Sequence, residues 1–249
     1  MRAALISIPS TTNAAFENIL ERIEQQEPGS KITALRTLTW CYYALEPLQV
    51  DEICEAVVVD DGDVALREDE VSARELVDCC LSFITHDLST GKVHFIHPSV
   101  QRWFDNEPQR QKLLPPSYLA KTCLTYLNFN VFDAPFIDSV TDQAYYTNPP
   151  PMDQIERHLT LHPFYRYAAR FWATHTKDAE LEPAVQMAAF AFLAAENRRE
   201  LMLRTGVWVT DWSDDREPIY TIMGETPLQI IAGRGLVVLC NLLLNGNSR

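Results

Sequence analysis

Apolar residues recur at helical spacing along most of this chain and fall into alternation in only one short stretch. Phe16, Ile19, Leu20 and Ile23 share a helical face, Asn13 is placed to cap that helix, and "EPGS" stops it at Pro28-Gly29. Ser30 is the expected cap of a second helix with Ile32, Leu35, Leu38, Thr39, Tyr42 and Tyr43 on one side, ending before Pro47. A third, short helix carries Ile53, Cys54, Val57 and Val58 into the turn "DDGD" at 60–63. Beyond an acidic loop, Ser72 caps a helix through Leu76, Val77, Cys80 and Leu81.

Two strand-like runs then follow, "SFITHD" at 82–87 and "KVHFIH" at 92–97, joined by "LSTG", whose Gly91 suits a left-handed hairpin position. Three helices and a β-hairpin in this order predict a winged-helix domain with the hairpin as its wing. Ser99 is the expected cap of the next helix, through Val100, Trp103 and Phe104. A helix at 117–128 comes after "PQRQKLLPP" and turns Leu119, Cys123, Leu124 and Leu127 inward, whereas 133–154 is irregular and rich in Pro. From 155 the pattern is helical again: an aromatic stretch with Phe164, Tyr165, Tyr167, Phe171 and Trp172 as core, then a helix with Pro183 in its first turn. Trp208 and Trp212 fall in a polar connector leading to Gly224. The expected fold is mainly α with one small β-hairpin.

The last stretch, "TPLQIIAGRGLVVLCNLLLNG" at 226–246, is similar to the helix pair of an ankyrin repeat. Thr226 and Pro227 open its first helix, Gly235 ends it in a left-handed position, and Leu239, Leu242 and Leu243 pack the second helix back on Leu228. Gln229 and Ile231 stand where such repeats prefer His and Ala. One repeat cannot bury its own stacking face, so an exposed apolar side is expected, and the chain reads as a piece of something longer. The expected divisions are a preceding helix at 1–28, the winged helix at 29–108, a helical linker at 109–215 and an incomplete first repeat at 216–249.

Charge narrows the partners. The net charge is −13, from 21 Lys and Arg against 34 Asp and Glu, and 11 of the acids lie between Asp51 and Asp78 against Arg67 and Arg74 alone. Without a longer basic cluster than Arg198-Arg199, such a chain repels phosphate backbones, so no nucleic-acid partner is expected. Six cysteines without a C-x-x-C pair read as buried, reduced thiols of a cytoplasmic protein. Neither a signal peptide nor a membrane span is legible, so no membrane partner is expected.

Two separate stretches carry a family resemblance. Residues 16–59, with "FIHPSVQRWF" at 95–104 and "LAKTCLTYLNF" at 119–129, resemble the winged-helix region of fungal NACHT proteins that carry ankyrin repeats, members of the STAND NTPases. The winged helix is of the type also named for a GPI inositol-deacylase. The resemblance implies a switch with an effector, a NACHT ATPase, a winged helix with its helical linker, and a repeat array that senses a protein. This chain would supply the third part and the start of the fourth, with the NACHT domain and further repeats as protein partners. A phosphate-cradling loop is not legible: "PGSK" at 28–31 has Glu24 where the first Gly is needed and Ser30 where the Lys belongs.

His97 is the sharpest candidate. The resemblance implies that a His at this position contacts the β-phosphate of ADP bound by the NACHT domain, although Pro98 replaces the Asp of the related motif. A His that ends a strand and bonds to nearby backbone is the plainer reading. His86, His94 and His97 cluster on the hairpin as zinc ligands would, with His86 and His94 expected to face each other across the wing, but no Cys or fourth ligand has matching spacing, so no metal is expected. No catalytic signature or cofactor motif is present, and no enzyme activity is expected. The competing reading is a winged-helix DNA-binding protein whose reading helix spans 72–82, where Arg74 is outweighed by Glu75 and Asp78.

Overall fold

The computed structural model describes residues 12–67, 71–133, 152–209 and 225–246, without the side chains of 152–156, 204 and 206–209. These residues are mostly helical with a single two-stranded antiparallel hairpin, the expected fold class. They form two compact units, one comprising the chain up to Val57 with Val71–Pro115, the other Val58–Glu70 with Pro116 onward.

In the first unit, α1 (Thr12–Glu24), α2 (Pro28–Tyr43), α3 (Val50–Ala56) and α4 (Ala73–Cys79) precede β1 (Ile84–His86) and β2 (Val93–Phe95), and α5 (Pro98–Phe104) and α6 (Glu107–Arg110) follow. The first helix already includes Thr12, so Asn13 lies inside it, and it ends at Glu24, before the Pro. Pro28 opens the next helix instead of stopping the last one, with Glu27 as its N-cap and Ser30 inside the first turn. The reason is local: Pro has no N–H to leave unpaired and its φ is already helical, so the first helical position suits it.

The buried side of α2 also departs from the expected one. Ile32 is half exposed, while Ala34, Thr37, Leu38, Thr39 and Trp40 are buried. Thr37 and Thr39 can sit inside because their hydroxyls donate to the carbonyls of Thr33 and Leu35, at 2.8 and 2.6 Å. Apolar residues run around the whole helix, so periodicity alone had no face to select.

Caps set the ends of the next two helices. The Gln49 N–H donates to Glu52 Oε2 at 2.8 Å, and Ser72 and Glu75 form a reciprocal capping box. The second of these helices stops at Cys79, two residues short of the expected Leu81, because Leu81 and Ser82 both take positive φ, 46° and 74°. Strand pairing places Ile84 opposite Phe95, Thr85 opposite His94 and His86 opposite Val93. Gly91 takes its left-handed conformation with φ 72°. Aromatic contacts close this core: Phe16 meets Phe83 and Trp103 at 5.9 and 5.7 Å, and Phe95 stacks on Phe104 at 5.8 Å.

The second unit contains α7 (Ser117–Leu127), a 3-10 turn (Asn130–Asp133), α8 (Met152–Leu161), α9 (Phe164–Ala179), α10 (Pro183–Ala194), α11 (Glu196–Val209), α12 (Pro227–Gly233) and α13 (Val237–Gly246). Leu119, Cys123, Leu124 and Leu127 are buried as expected, and so are Phe164, Tyr165, Tyr167 and Trp172, with Phe171 half-buried. Ala195 is extended and splits the helix expected after Pro183 in two. Trp208 consequently lies in a helix and not in a connector, while Trp212 lies outside the described residues. Arg198 fastens the 3-10 turn to the helix that follows Ala195: it pairs with Asp133 and donates to Asn128 Oδ1 and Asn130 Oδ1 at 3.3 and 3.1 Å.

In the terminal helix pair, Thr226 caps as expected and Gln229 completes a capping box with it. Gly235 takes φ 70°. Leu239 is buried and its N–H donates to Glu180 Oε1 at 3.3 Å, but Leu242 is 41% exposed and does not pack inward. Val237 and Leu244 are exposed as well. The cysteines are free thiols; Cys79, Cys80 and Cys123 are buried, whereas Cys41, Cys54 and Cys240 are only half-buried. Burial pushes Cys41 and Cys54 up to about 12, which keeps both protonated near neutral pH. Among the described residues no helix is long and apolar enough to cross a membrane.

Candidate nucleotide-sensing site

The wing delivers His97. The Ile96 N–H donates to the Phe83 carbonyl at 3.0 Å, the last rung of the hairpin ladder, and His97 continues extended with φ −152°. Pro98 then starts α5, whose Trp103 and Phe104 are buried in the aromatic core. His97 is thus held between a strand end and a helix start that are both fixed by that core.

Ser99 is not the cap that its position led us to expect; His97 is. Its Nδ1 accepts from the Ser99 N–H at 3.1 Å, with Ser99 Oγ 2.8 Å away, and its carbonyl accepts from the Val100 N–H at 3.0 Å. Ser99 is the second helical residue, one of the two whose N–H a capping side chain ordinarily satisfies, and Pro98 suits the first position because it has no N–H to leave unpaired. Accepting at Nδ1 fixes the neutral ring as the tautomer with its proton on Nε2. The side chain is exposed, so Nε2–H is a donor directed away from the cap. The plainer sequence reading, a His bonded to nearby backbone, describes one nitrogen of this ring.

The other histidines of the wing are not brought together. His86 lies opposite Val93 and His94 opposite Thr85, so they project from opposite faces of the hairpin, and His94 Nδ1 bonds the Phe95 carbonyl at 2.9 Å. The pairing differs by one residue from that needed for them to face each other. Among the described residues no group of three or more His, Cys, Asp or Glu is arranged to hold a metal. The "PGSK" stretch lies in the first turns of α2, not in a phosphate loop. On α4, Arg74 pairs with Asp78 at 3.4 Å and Glu75 is held by the Ser72 cap, so the helix a DNA-binding reading would use presents no free cation.

Sequence reasoning missed an open cleft of about 420 Å³ beside this site, lined by residues 40–48 on one side and 93–98 on the other. Its sequence signal is weak: Pro47 stands next to the bend at residues 45 and 46.

A family model described as the GPI inositol-deacylase, winged helix domain matches residues 20–113, less than half of the chain. This domain is found in NACHT-containing proteins. No curated protein and no solved structure matches the chain.

Proposed function

We propose that this chain is a non-enzymatic regulatory and protein-interaction segment of a STAND-type signalling switch in the cytoplasm. In this reading the winged helix closes on an ADP-bound NACHT domain, His97 donates from Nε2 to the β-phosphate, and the helix pair at 227–246 is the first unit of an ankyrin array that senses a protein. The observation that carries it is the state of the His97 ring. With Nδ1 occupied by Ser99 and Nε2–H exposed, the imidazole is pre-set as a donor to an external acceptor, and a phosphate oxygen has that chemistry. Ser99 then steadies the ring in place of the Asp for which Pro98 stands. The winged-helix match over 20–113 supports the domain context.

The reading separates His97 from the phosphate cradle, which belongs to the NACHT domain. A fluorescent ADP analogue titrated into the 249-residue chain at physiological salt should give no saturable binding, with or without His97→Ala. Tight binding that His97→Ala abolishes would overturn the proposal, since the chain would then hold a nucleotide site of its own.

A further inference from the structure

The terminal helix pair is fastened to the rest of the second unit by a few charged side chains. Among the described elements, α12 and α13 pack chiefly on each other and only sparsely on the others. Ile231, Leu236 and Leu239 are its buried residues together with Ile230. Leu239 is the third residue of α13, so its N–H is one that a helix leaves without an internal partner, and Leu236, just before the helix, has no side-chain acceptor to offer. Glu180, the residue that ends α9, supplies the acceptor: its Oε1 takes the Leu239 N–H at 3.3 Å.

That carboxylate is poorly placed on its own helix. Glu180 is only 7% exposed and stands at the carbonyl end of α9, where a negative charge is disfavoured, whereas the amino end of α13 favours it. Two cations complete the contact. Arg234, in the turn between α12 and α13, holds its guanidinium 5.6 Å from the centre of the buried Trp172 ring of α9 and directs Nη2 to Met202 Sδ of α11 at 3.7 Å. Lys177, one turn before Glu180, brings its ammonium against the same turn: a Cβ at Gly235 would stand 3.8 Å from Nζ. The end of α9 thus offers a carboxylate to the start of α13, and a cation and an indole to the turn before it.

We propose that these contacts form a latch: the helix pair at 227–246 leaves α9 and α11 as a unit, and Glu180, Arg234 and Lys177 hold it closed. The contacts are few, charged and local, so they open together while α9 stays folded. Closed, Glu180 caps α13 and Arg234 covers Trp172. Open, the carboxylate is left at the carbonyl end of α9 and the indole loses its cover, a difference between two states that a ligand on the pair can bias. As a route from a sensing array to the linker the latch rests on the proposed function. Its existence does not, because opening involves neither nucleotide nor partner, and the two therefore fail in separate experiments.

Amide hydrogen exchange on the full chain, resolved by residue, tests the latch. Protection at the Leu239 amide is expected to be about tenfold or more below that at the Ala169 amide inside α9, because Leu239 exchanges through the open state. Glu180→Gln keeps the shape and an acceptor but removes the charge, and should speed exchange at Leu239 about fivefold. Arg234→Ala, at an exposed position, should speed it about two- to fivefold. Neither substitution should change exchange at Ala169. Equal protection of Leu239 and Ala169 in the wild-type chain would overturn the proposal, since the pair would then be fused to the core of its unit. Exchange at Leu239 unaltered by either substitution, or speeded equally at Ala169, would overturn it as well.

Discussion

Two adjacent residues after α4 bend the backbone where side chains resist it. Leu81 and Ser82 both lie at positive φ, a conformation that costs an ordinary L-residue about 1 kcal/mol or more. Ser82 is exposed and loses no core contact on truncation, so Ser82→Gly should raise the urea midpoint, by about 0.5–1 kcal/mol in stability; a lower midpoint would show that the hydroxyl contributes more than the strain costs. His97 has two roles that substitution separates. As a cap, His97→Ala should cost about 1 kcal/mol, whereas His97→Asn, a strong capping residue, should restore most of that stability while removing the Nε2 donor. Equal denaturation midpoints for the two variants would contradict the capping account. That His97 bonds to nearby backbone was legible from its place at a strand end, but its role as the cap through Nδ1 was not, because Ser99 offered a stronger capping residue type at the same helix start.

Element ends show the same contrast between local chemistry and tertiary context. Ser72, Thr226 and Gly91 behave as their residue types require, because a cap or a left-handed turn is satisfied within a few residues. The wing register was not legible: placing His86 opposite Val93 depends on which face Phe95 and Ile84 bury, a property of the packed core. In the second unit, the buried His175 and the half-buried His158 and His162 set a pH response. Burial holds His158 and His175 at about 4 and also lowers His162, whose proximity pushes His158 down further. The unfolded chain takes up these protons below about pH 6.5 while the folded unit refuses them. Their contribution to stability is therefore complete above pH 6.5 and is lost as the pH falls toward 4, at up to about 1.4 kcal/mol per pH unit for each fully refusing ring. Chemical denaturation at pH 7 and pH 5 should give a clearly lower midpoint at pH 5; an unchanged or higher one would contradict the burial of these rings.

At the scale of the whole molecule, the fold class followed from periodicity and turn residues, since helices and one hairpin are encoded within short windows, whereas the short helix Glu107–Arg110 and the break at Ala195 did not. The cleft was not legible, because it exists only where residues 40–48 and 93–98 meet in space. As proposed, the chain acts on a nucleotide held elsewhere, with His97 as the contact. The most direct measurement is release of a fluorescent ADP analogue from a NACHT ATPase domain taken from a protein with this type of winged helix, with and without the chain at saturation. The account predicts slower release with the wild-type chain, by about tenfold or more for one charge-assisted hydrogen bond, and little slowing with the well-folded His97→Asn variant. Release at the same rate with and without the chain, or equal slowing by both forms, would contradict it.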